Sequence, residues 1–163
     1  MRILKFIGAV LGAVIILVAI AYPFRGDPIG PISGKSLSGE VVPGPVSDWA
    51  FTDEHDLIAV EVRPEDPHSV TTVCFRHEGV FYIPAQNGAE KTWAAYATED
   101  PRVRLKIGDR IYLATATRVD QPGDVQALLD SAREKYPQLP ESGDAESAER
   151  LEGIWLFRVN PRA

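Results

Sequence analysis

Beyond residue 49, short apolar runs alternate with turn-forming residues, a spacing that predicts a sheet or a small barrel. The runs that predict strands are Leu57–Arg63, Val70–Arg76, Val80–Ala85, Arg102–Ile107, Arg110–Val119 and Gly153–Asn160. Helical spacing of apolar residues predicts helices at about Glu90–Thr98 and Gly123–Tyr136. The last strand is nearly all apolar, which predicts burial on both of its faces. The fold class is therefore mainly β with a few helices.

Two hairpins are expected in this sheet. Pro64–Pro67 cannot continue a ladder and joins the first two strands. Gly108-Asp109 suits a type II′ turn, with glycine first, and pairs the fourth strand with the fifth. In the first hairpin, we expect a register that places His55 near His77.

That register brings two imidazoles together, with Asp53 and Glu78 among the flanking carboxylates. Such a group is a ligand set for a divalent metal. The alternative is a polar strand end in solvent, and the sequence contains no tight metal-ligand motif. We therefore predict no metal site.

The N-terminus contains an uncharged apolar run, residues 6–24, of about the length that a helix needs to cross a bilayer. Arg2 and Lys5 precede the run, so the positive-inside rule predicts that the rest of the chain is exported, to the periplasm or its equivalent. A signal peptide with a small-residue cleavage site at residues 19–21 is the alternative. We expect a transmembrane anchor, because the run is longer than most signal-peptide cores.

Residues 23–45 contain five prolines and five glycines, which disfavours both helix and central strand. A tether between membrane and domain is one interpretation, and a segment that packs along the domain surface is the other. The expected organisation is an anchor over residues 1–24, a linker over 25–48 and a domain over 49–163.

The charge balance disfavours nucleic-acid binding. Arg2, Lys5 and Arg25 lie in or beside the apolar run, which leaves 14 basic against 23 acidic side chains, a net charge of −9. Leu139–Glu152 holds five of the acids and is predicted to be a solvated loop or a short surface helix. Cys74 can form neither an internal disulfide nor a cysteine zinc cage, and its mid-strand position predicts an inert, buried thiol.

Arg102, Arg104 and Lys106 fall on one face of their strand, and the hairpin places Ile111 and Leu113 on the same face. This mixed face is suited to an acidic partner subunit, a phosphate ligand or anionic lipid head groups. A solvated stripe, whose aliphatic stems cover apolar surface, is the alternative.

Three successive elements resemble the flavin-binding split β-barrel superfamily, which includes pyridoxamine-phosphate-oxidase-like proteins and deazaflavin-dependent nitroreductase-like proteins. The elements are the paired strands Val70–Ala85, a polar turn and helix with Lys91 and Trp93, and an Asp-Pro-Arg-Val strand start at Asp100–Val103. The resemblance covers about residues 57–160. It implies a small split β-barrel, here preceded by the predicted transmembrane helix.

The resemblance also implies a cofactor and an assembly. FMN or a deazaflavin is expected, with Gln86, Asn87, Lys91 and Trp93 as the cofactor-binding residues. Split barrels of this kind usually form homodimers through sheet faces, so the mixed basic face is expected to meet a second copy. An oxidoreductase is one functional hypothesis, and a non-enzymatic envelope binding or assembly module without cofactor is the other.

Elementary electrostatics supports a phosphate near Lys91. Lys91 follows a strand and a glycine-containing turn and opens a helix, where free backbone N–H groups and the helix dipole favour an anion. An exposed lysine with no ligand is the alternative.

Overall fold

The structure is a computed structural model that describes residues 2–21, 26–120, 122–139 and 153–162. Its described part contains eight strands, and they form one sheet. The strands are β1 (Glu40–Val41), β2 (Leu57–Val62), β3 (His68–Val73), β4 (Phe75–His77), β5 (Val80–Ala85), β6 (Arg102–Ile107), β7 (Arg110–Val119) and β8 (Trp155–Pro161). The helices are α1 (Arg2–Ala21), α2 (Thr92–Glu99) and α3 (Pro122–Lys135). The mainly β class with a few helices is thereby confirmed.

The sheet curves into a barrel, and the predicted strand Val70–Arg76 changes its partner where the two ends of the sheet meet. The strand order is β3-β2-β6-β7-β8-β5-β4, with β1 parallel to β7. The two ends of this order, β3 and β4, are consecutive in the chain and are separated only by Cys74. The predicted single strand Val70–Arg76 is therefore two strands, one on each side of the opening.

Both predicted hairpins are present. Gly108 has φ of 60°, as the first position of a type II′ turn requires, and β6 pairs with β7 from Arg102–Thr115 to Ile107–Arg110. In the β2–β3 hairpin, Leu57 lies opposite Val73, two positions away from the predicted register. The expected meeting of His55 with His77 is wrong, because β4 leaves β2 and pairs with β5.

The barrel interior is the main hydrophobic core. Phe81, Phe157 and Leu105 are almost fully buried there, and the ring of Trp49 stacks on Phe81 with centroids 4.9 Å apart. Helix α2 closes one end of the barrel with Trp93, Ala94 and Ala97. Burial of each large side chain stabilises the fold by roughly 1.5–3 kcal/mol relative to its exposed state.

Helix α3 covers the outer surface of the barrel. Leu128, Leu129, Ala132 and the following Tyr136 pack on Phe75, Tyr82 and Leu156 to form a second core. The helical spacing therefore predicted both the helix and its buried face. Strand β8 buries Leu156 under α3 and Phe157 inside the barrel, which confirms the predicted burial on both faces.

Residues 26–42, which we call the strap, pack along the outer face of β2, β6 and β7. Gly34 exchanges two backbone hydrogen bonds with Ser69, and β1 pairs with β7. Leu37 is 4% exposed. Of the two interpretations of the proline- and glycine-rich segment, packing along the domain surface describes the strap.

Helix α1 contains most of the N-terminal apolar run, and its side chains Leu11, Ile15 and Leu17 are more than half exposed. Within the described residues, no helix combines the length and the apolar character that a membrane span needs, so the predicted transmembrane helix receives no support here. The acidic segment predicted at Leu139–Glu152 lies outside the described residues except for Leu139 itself.

Candidate functional site

The turn predicted to hold a phosphate lies between β5 and α2. Gln86, Asn87 and Lys91 are exposed, and a short 3-10 helix (Gly88–Glu90) separates the first two from the lysine. Asn87 adopts the left-handed conformation, with φ of 51°. This tight turn places the three residues directly before α2.

Gly88 fixes the turn against the barrel. Its N–H donates to Gly153 O at 2.8 Å, and a Cβ at this position would lie 2.2 Å from Cγ of Trp155. Only glycine fits so close to the indole ring. The turn is therefore rigid at its centre.

Lys91 is the N-cap of α2. The predicted helix, Glu90–Thr98, placed it in the first turn instead. The first turn of α2 contains no acidic residue, and no side chain caps its N–H groups. No hydrogen bond or ion pair joins the Lys91 ammonium to another described residue. Trp93, by contrast, is 5% exposed and packs on Phe157, so it belongs to the core and not to the exposed turn.

Beside this turn lies a cleft of about 360 Å³, and Gln86 forms part of its rim. One wall is the edge of the sheet, and the other is α3 together with the residues that follow it. The sheet side consists of Leu57, Thr71, Thr72, Val73, Phe75 and Pro84, and the helix side consists of Leu129, Ala132, Tyr136, Gln138 and Leu139, with Ile154 completing the lining. Among the residues that the structure describes, this lining contains no charged side chain.

The sheet wall offers main-chain hydrogen-bonding groups that no described strand uses. Ser69 exchanges both of its backbone hydrogen bonds with Gly34, at 2.8 and 3.2 Å, on the side of β3 that faces away from β2. Backbone groups alternate between the two sides of a strand, so the N–H and C=O groups of Thr71 and Val73 also point away from β2. Among the described residues no further strand pairs with β3 on that side. These groups border the cleft.

The hydroxyl of Tyr136 fixes the helix wall to the barrel. It lies 2.8 Å from both Asp56 O and Cys74 O, and the Cys74 N–H donates to it at 3.3 Å. Burial raises the pKa of Tyr136 to about 12, although the bond to Cys74 opposes this shift. The hydroxyl is therefore protonated at neutral pH and acts as a structural bridge.

Lys135 makes a second attachment of α3. Its ammonium donates to Thr52 O at 3.0 Å and His55 O at 2.8 Å, and it lies 3.8 Å from the sulfur of Cys74. Burial raises the pKa of the Cys74 thiol to about 11, with Lys135 opposing the shift. The predicted inert, buried thiol agrees with this environment. Sequence reasoning missed Lys135, because 61 residues separate it from Cys74.

The predicted basic face is neutralised by carboxylates of the same chain. Arg102 pairs with Asp100 and Glu65, Arg104 with the buried Glu61, and Lys106 with Asp27 of the strap. Ile111 shares the face, as predicted, and is fully buried. The acidic partner expected for this face is therefore the chain itself.

The histidines are dispersed. Nδ1 of His77 lies 2.6 Å from the Ser131 hydroxyl of α3, and His55 lies near the β6–β7 turn. Within the part of the chain that the structure describes, no three His, Cys, Asp or Glu side chains form a group fit to hold a metal.

No protein-family model and no curated protein sequence matches this chain. Solved structures do match. A conserved hypothetical protein of Mycobacterium tuberculosis aligns with a TM-score of 0.56 and 17% identity, over 76% of this chain and 86% of that one. A pyridoxamine 5′-phosphate oxidase-like protein of Listeria innocua aligns with a TM-score of 0.51 and 14% identity, over 70% and 90%.

A third match is an FAD- and heme-binding protein of Mycobacterium smegmatis, with a TM-score of 0.51 and 10% identity over 69% of this chain and 63% of that one. The fold is a split β-barrel, the architecture of these solved structures. At these identities the similarity concerns the fold alone. The split-barrel architecture expected from the motifs is thereby confirmed, and the site residues stay predictions.

Proposed function

We propose that this split barrel binds an aromatic, flavin-type ligand, FMN or a deazaflavin, with the ring in the cleft. The observation that carries the proposal is a neutral, mostly apolar cleft with a free strand edge, adjacent to the turn that presents Gln86, Asn87 and Lys91. Its volume falls in the usual range for small-molecule sites.

The cleft fits the ring of a flavin in two respects. Leu57, Val73 and Phe75 offer apolar contacts to a flat aromatic system. The polar edge of the ring needs hydrogen-bond donors and acceptors, and the backbone of Thr71 and Val73 supplies both. When bound, a flavin would supply two-electron transfer, which no protein side chain provides. The protein would contribute orientation and exclusion of water.

The phosphate of FMN calls for a positively charged partner, and none of the described residues that line the cleft is a cation. Lys91 is the predicted phosphate residue, supported by its exposed position at the N-cap of α2. Gln86 and Asn87 would add neutral hydrogen bonds. Trp93 would support the turn from the core without touching the cofactor.

A non-enzymatic binding module is the second candidate. The neutral lining favours it, as does the pairing of Arg102, Arg104 and Lys106 with carboxylates of the same chain. In this case an uncharged apolar or aromatic molecule would occupy the cleft.

Paired titrations with riboflavin and FMN separate the contributions of ring and phosphate. Lys91→Ala should weaken FMN binding by about one to two decades and leave riboflavin binding unchanged, because one charge-assisted contact is lost. Arg110→Ala removes an equally exposed cation outside the cleft and is the matched control. If wild type bound neither flavin at millimolar concentration, the flavin proposal would be wrong and the binding module would stand.

We propose separately that the N-terminal apolar run, residues 6–24 of the sequence, tethers the barrel to the outer side of the cytoplasmic membrane. The uncharged run 6–24, preceded by Arg2 and Lys5, supports this placement. A reporter that is active only outside the cytoplasm, fused to Ala163, should give signal. A signal from a cytoplasmic reporter alone would contradict export, and an intact mass for a chain cleaved after Ala21 would contradict the anchor.

A homodimer, implied by the resemblance, is also a proposal. In this chain the strap covers the face first expected to form it, so a different surface would have to mediate association. Sedimentation equilibrium at micromolar concentration tests the proposal, and a monomer mass at every concentration would contradict it.

A further inference from the structure

A second depression adjoins the cleft, and the two share lining residues. Leu57 and Thr71 line both the cleft and a second depression of about 300 Å³ on the outer face of the sheet. Ala59 of β2 lies opposite Thr71 on one side and opposite Lys106 on the other. Residues directly opposite each other project to the same face of a sheet, so Thr71, Ala59 and Lys106 form a row on the outer face, from the rim of the cleft to the second depression.

The second depression is polar where the cleft is neutral. Its lining includes Lys106, His55 and Asp27 of the strap. Lys106 donates to the Asp27 carboxylate at 2.5 Å, and its side chain keeps 21% exposure. The imidazole of His55 lies over Gly108 at the β6–β7 turn, next to Lys106 in sequence. An ammonium group and an imidazole therefore both line this depression.

Asp27 is held in place independently of Lys106. Its two carboxylate oxygens accept hydrogen bonds from the N–H of Ser38 at 2.7 Å and from the Ser38 hydroxyl at 2.9 Å. Partial burial favours the neutral form of Asp27, but the bonds from Lys106 and Ser38 outweigh burial and lower its pKa. The Asp27 carboxylate is thus held by Ser38 of its own strap and pairs with Lys106, the one lysine or arginine among the described residues that line this depression.

We infer that the depression is an anion subsite of the cleft, and that the ligand carries a carboxylate, sulfonate or phosphate group that Lys106 binds in competition with Asp27. The Asp27 carboxylate already shows the chemistry that Lys106 accepts. The expected ligand is therefore an aromatic or apolar molecule that carries one anionic group. This inference rests on the ligand-binding cleft of the proposed function, but it does not require a flavin.

Two cations compete for the anionic end of such a ligand. Lys91 lies beyond Gln86 at one end of the cleft, and Lys106 lies beyond Leu57 and Thr71 at the other. If the anion binds at Lys91, Lys91→Ala should weaken binding and Lys106→Ala should not, and if it binds at Lys106 the reverse is expected. Asp27→Asn should change the affinity only if the anion binds at Lys106.

A pair of fluorescent probes tests the subsite. 8-Anilinonaphthalene-1-sulfonate and N-phenyl-1-naphthylamine share one ring system, and only the first is an anion. The inference predicts that Lys106→Ala lowers the affinity for the sulfonate by about tenfold and leaves the neutral probe unchanged. Asp27→Asn should raise the affinity for the sulfonate about threefold or more, because a competing charge is removed.

Lys35→Ala is the matched control, because Lys35, like Lys106, pairs with an aspartate, here Asp66, but lines neither depression. Circular dichroism verifies the fold of each variant, and Asp27→Asn gives an independent answer if Lys106→Ala fails to fold. Equal effects of Lys106→Ala on both probes, or no gain in Asp27→Asn, would overturn the subsite. If the neutral probe did not bind wild type, the cleft and the subsite would both fall. A failure of riboflavin alone to bind would overturn only the flavin proposal.

Discussion

At the scale of single residues, Glu61 joins the strap to the barrel. Its carboxylate is 3% exposed and accepts hydrogen bonds from Arg104 at 2.8 Å and from the N–H of Leu37 at 2.6 Å. A buried carboxylate with a cation and a backbone donor satisfies three polar groups at once. Loss of the carboxylate leaves the buried Leu37 N–H without its acceptor and leaves Arg104, which is 26% exposed, with only its longer bonds to Ser36 and Leu37 O at 3.3 Å.

Glu61→Ala should therefore lower the free energy of unfolding by roughly 2–3 kcal/mol, since Arg104 and the Leu37 N–H lose their acceptor. Urea denaturation measures this change. Glu65→Ala is the control, because Glu65 pairs with Arg102 at 2.9 Å but is 74% exposed, and its loss should lower the free energy of unfolding far less than the loss of Glu61 does. Equal costs for both variants would contradict the role of burial.

Cys74 gives a second prediction at this scale. Burial raises the pKa of its thiol to about 11, so the thiolate is scarce at neutral pH. An aromatic disulfide reagent at about pH 8 should react very slowly with the native protein and stoichiometrically after denaturation. Rapid labelling of the native chain would show that α3 does not cover Cys74.

At the scale of elements, the strap depends on a glycine. A Cβ on Gly34 would lie 2.2 Å from Gly26 O and 2.5 Å from the Ser69 hydroxyl oxygen. Gly34→Ala should therefore displace the strap and lower the free energy of unfolding by roughly 1–3 kcal/mol. At Gly26 the nearest atom to an added Cβ is 3.7 Å away, so Gly26→Ala is the matched control.

Limited proteolysis reads out the position of the strap. Cleavage within residues 26–42 should become much faster in Gly34→Ala and stay at the wild-type rate in Gly26→Ala. Unchanged proteolysis in Gly34→Ala would mean that the strap is not held at Ser69.

The sequence predicts elements of this fold whose pattern is local. The β6–β7 hairpin follows from strict alternation and a glycine turn, and α3 follows from the spacing of Leu128, Leu129, Ala132 and Tyr136. The break at Cys74 has no such local pattern. The strand-forming residues continue through it, but β3 pairs with β2 and β4 pairs with β5. Nothing local distinguishes such a bend from a continuous strand, and the error in the predicted register of the first hairpin has the same origin.

The candidate site divides along the same line. The turn with Gln86, Asn87 and Lys91 was identified from sequence, because strand, turn and helix are contiguous there. The cleft was not, because its walls come from β3 and from α3, which are about 60 residues apart. The pairing of Asp27 with Lys106 was also missed, since 79 residues separate the two. Segments of this composition give no sign of what they pack against.

At the scale of the whole molecule, the barrel depends on its last strand. Strand β8 lies between β7 and β5, and its side chains enter both cores. A chain that ends at Gly153 should lose cooperative unfolding and its near-ultraviolet circular dichroism, because two neighbouring strands lose their partner. A chain that lacks only Ala163 is the control and should unfold as wild type does. Cooperative unfolding of the chain that ends at Gly153 would contradict the central place of β8.

A substitution that fills the cleft is a direct test of whether the cleft binds an aromatic ligand. Thr71 lies on the outer face of β3 and lines the cleft, so Thr71→Trp should fill it without disturbing the core. Thr117→Trp places the same ring at an exposed position of β7 that lines no part of the cleft.

The measurement is a riboflavin fluorescence titration of wild type and both variants. The cleft account predicts saturable quenching by wild type and by Thr117→Trp, and an affinity at least about tenfold weaker for Thr71→Trp. Equal binding by all three proteins, or no binding by wild type, would contradict it.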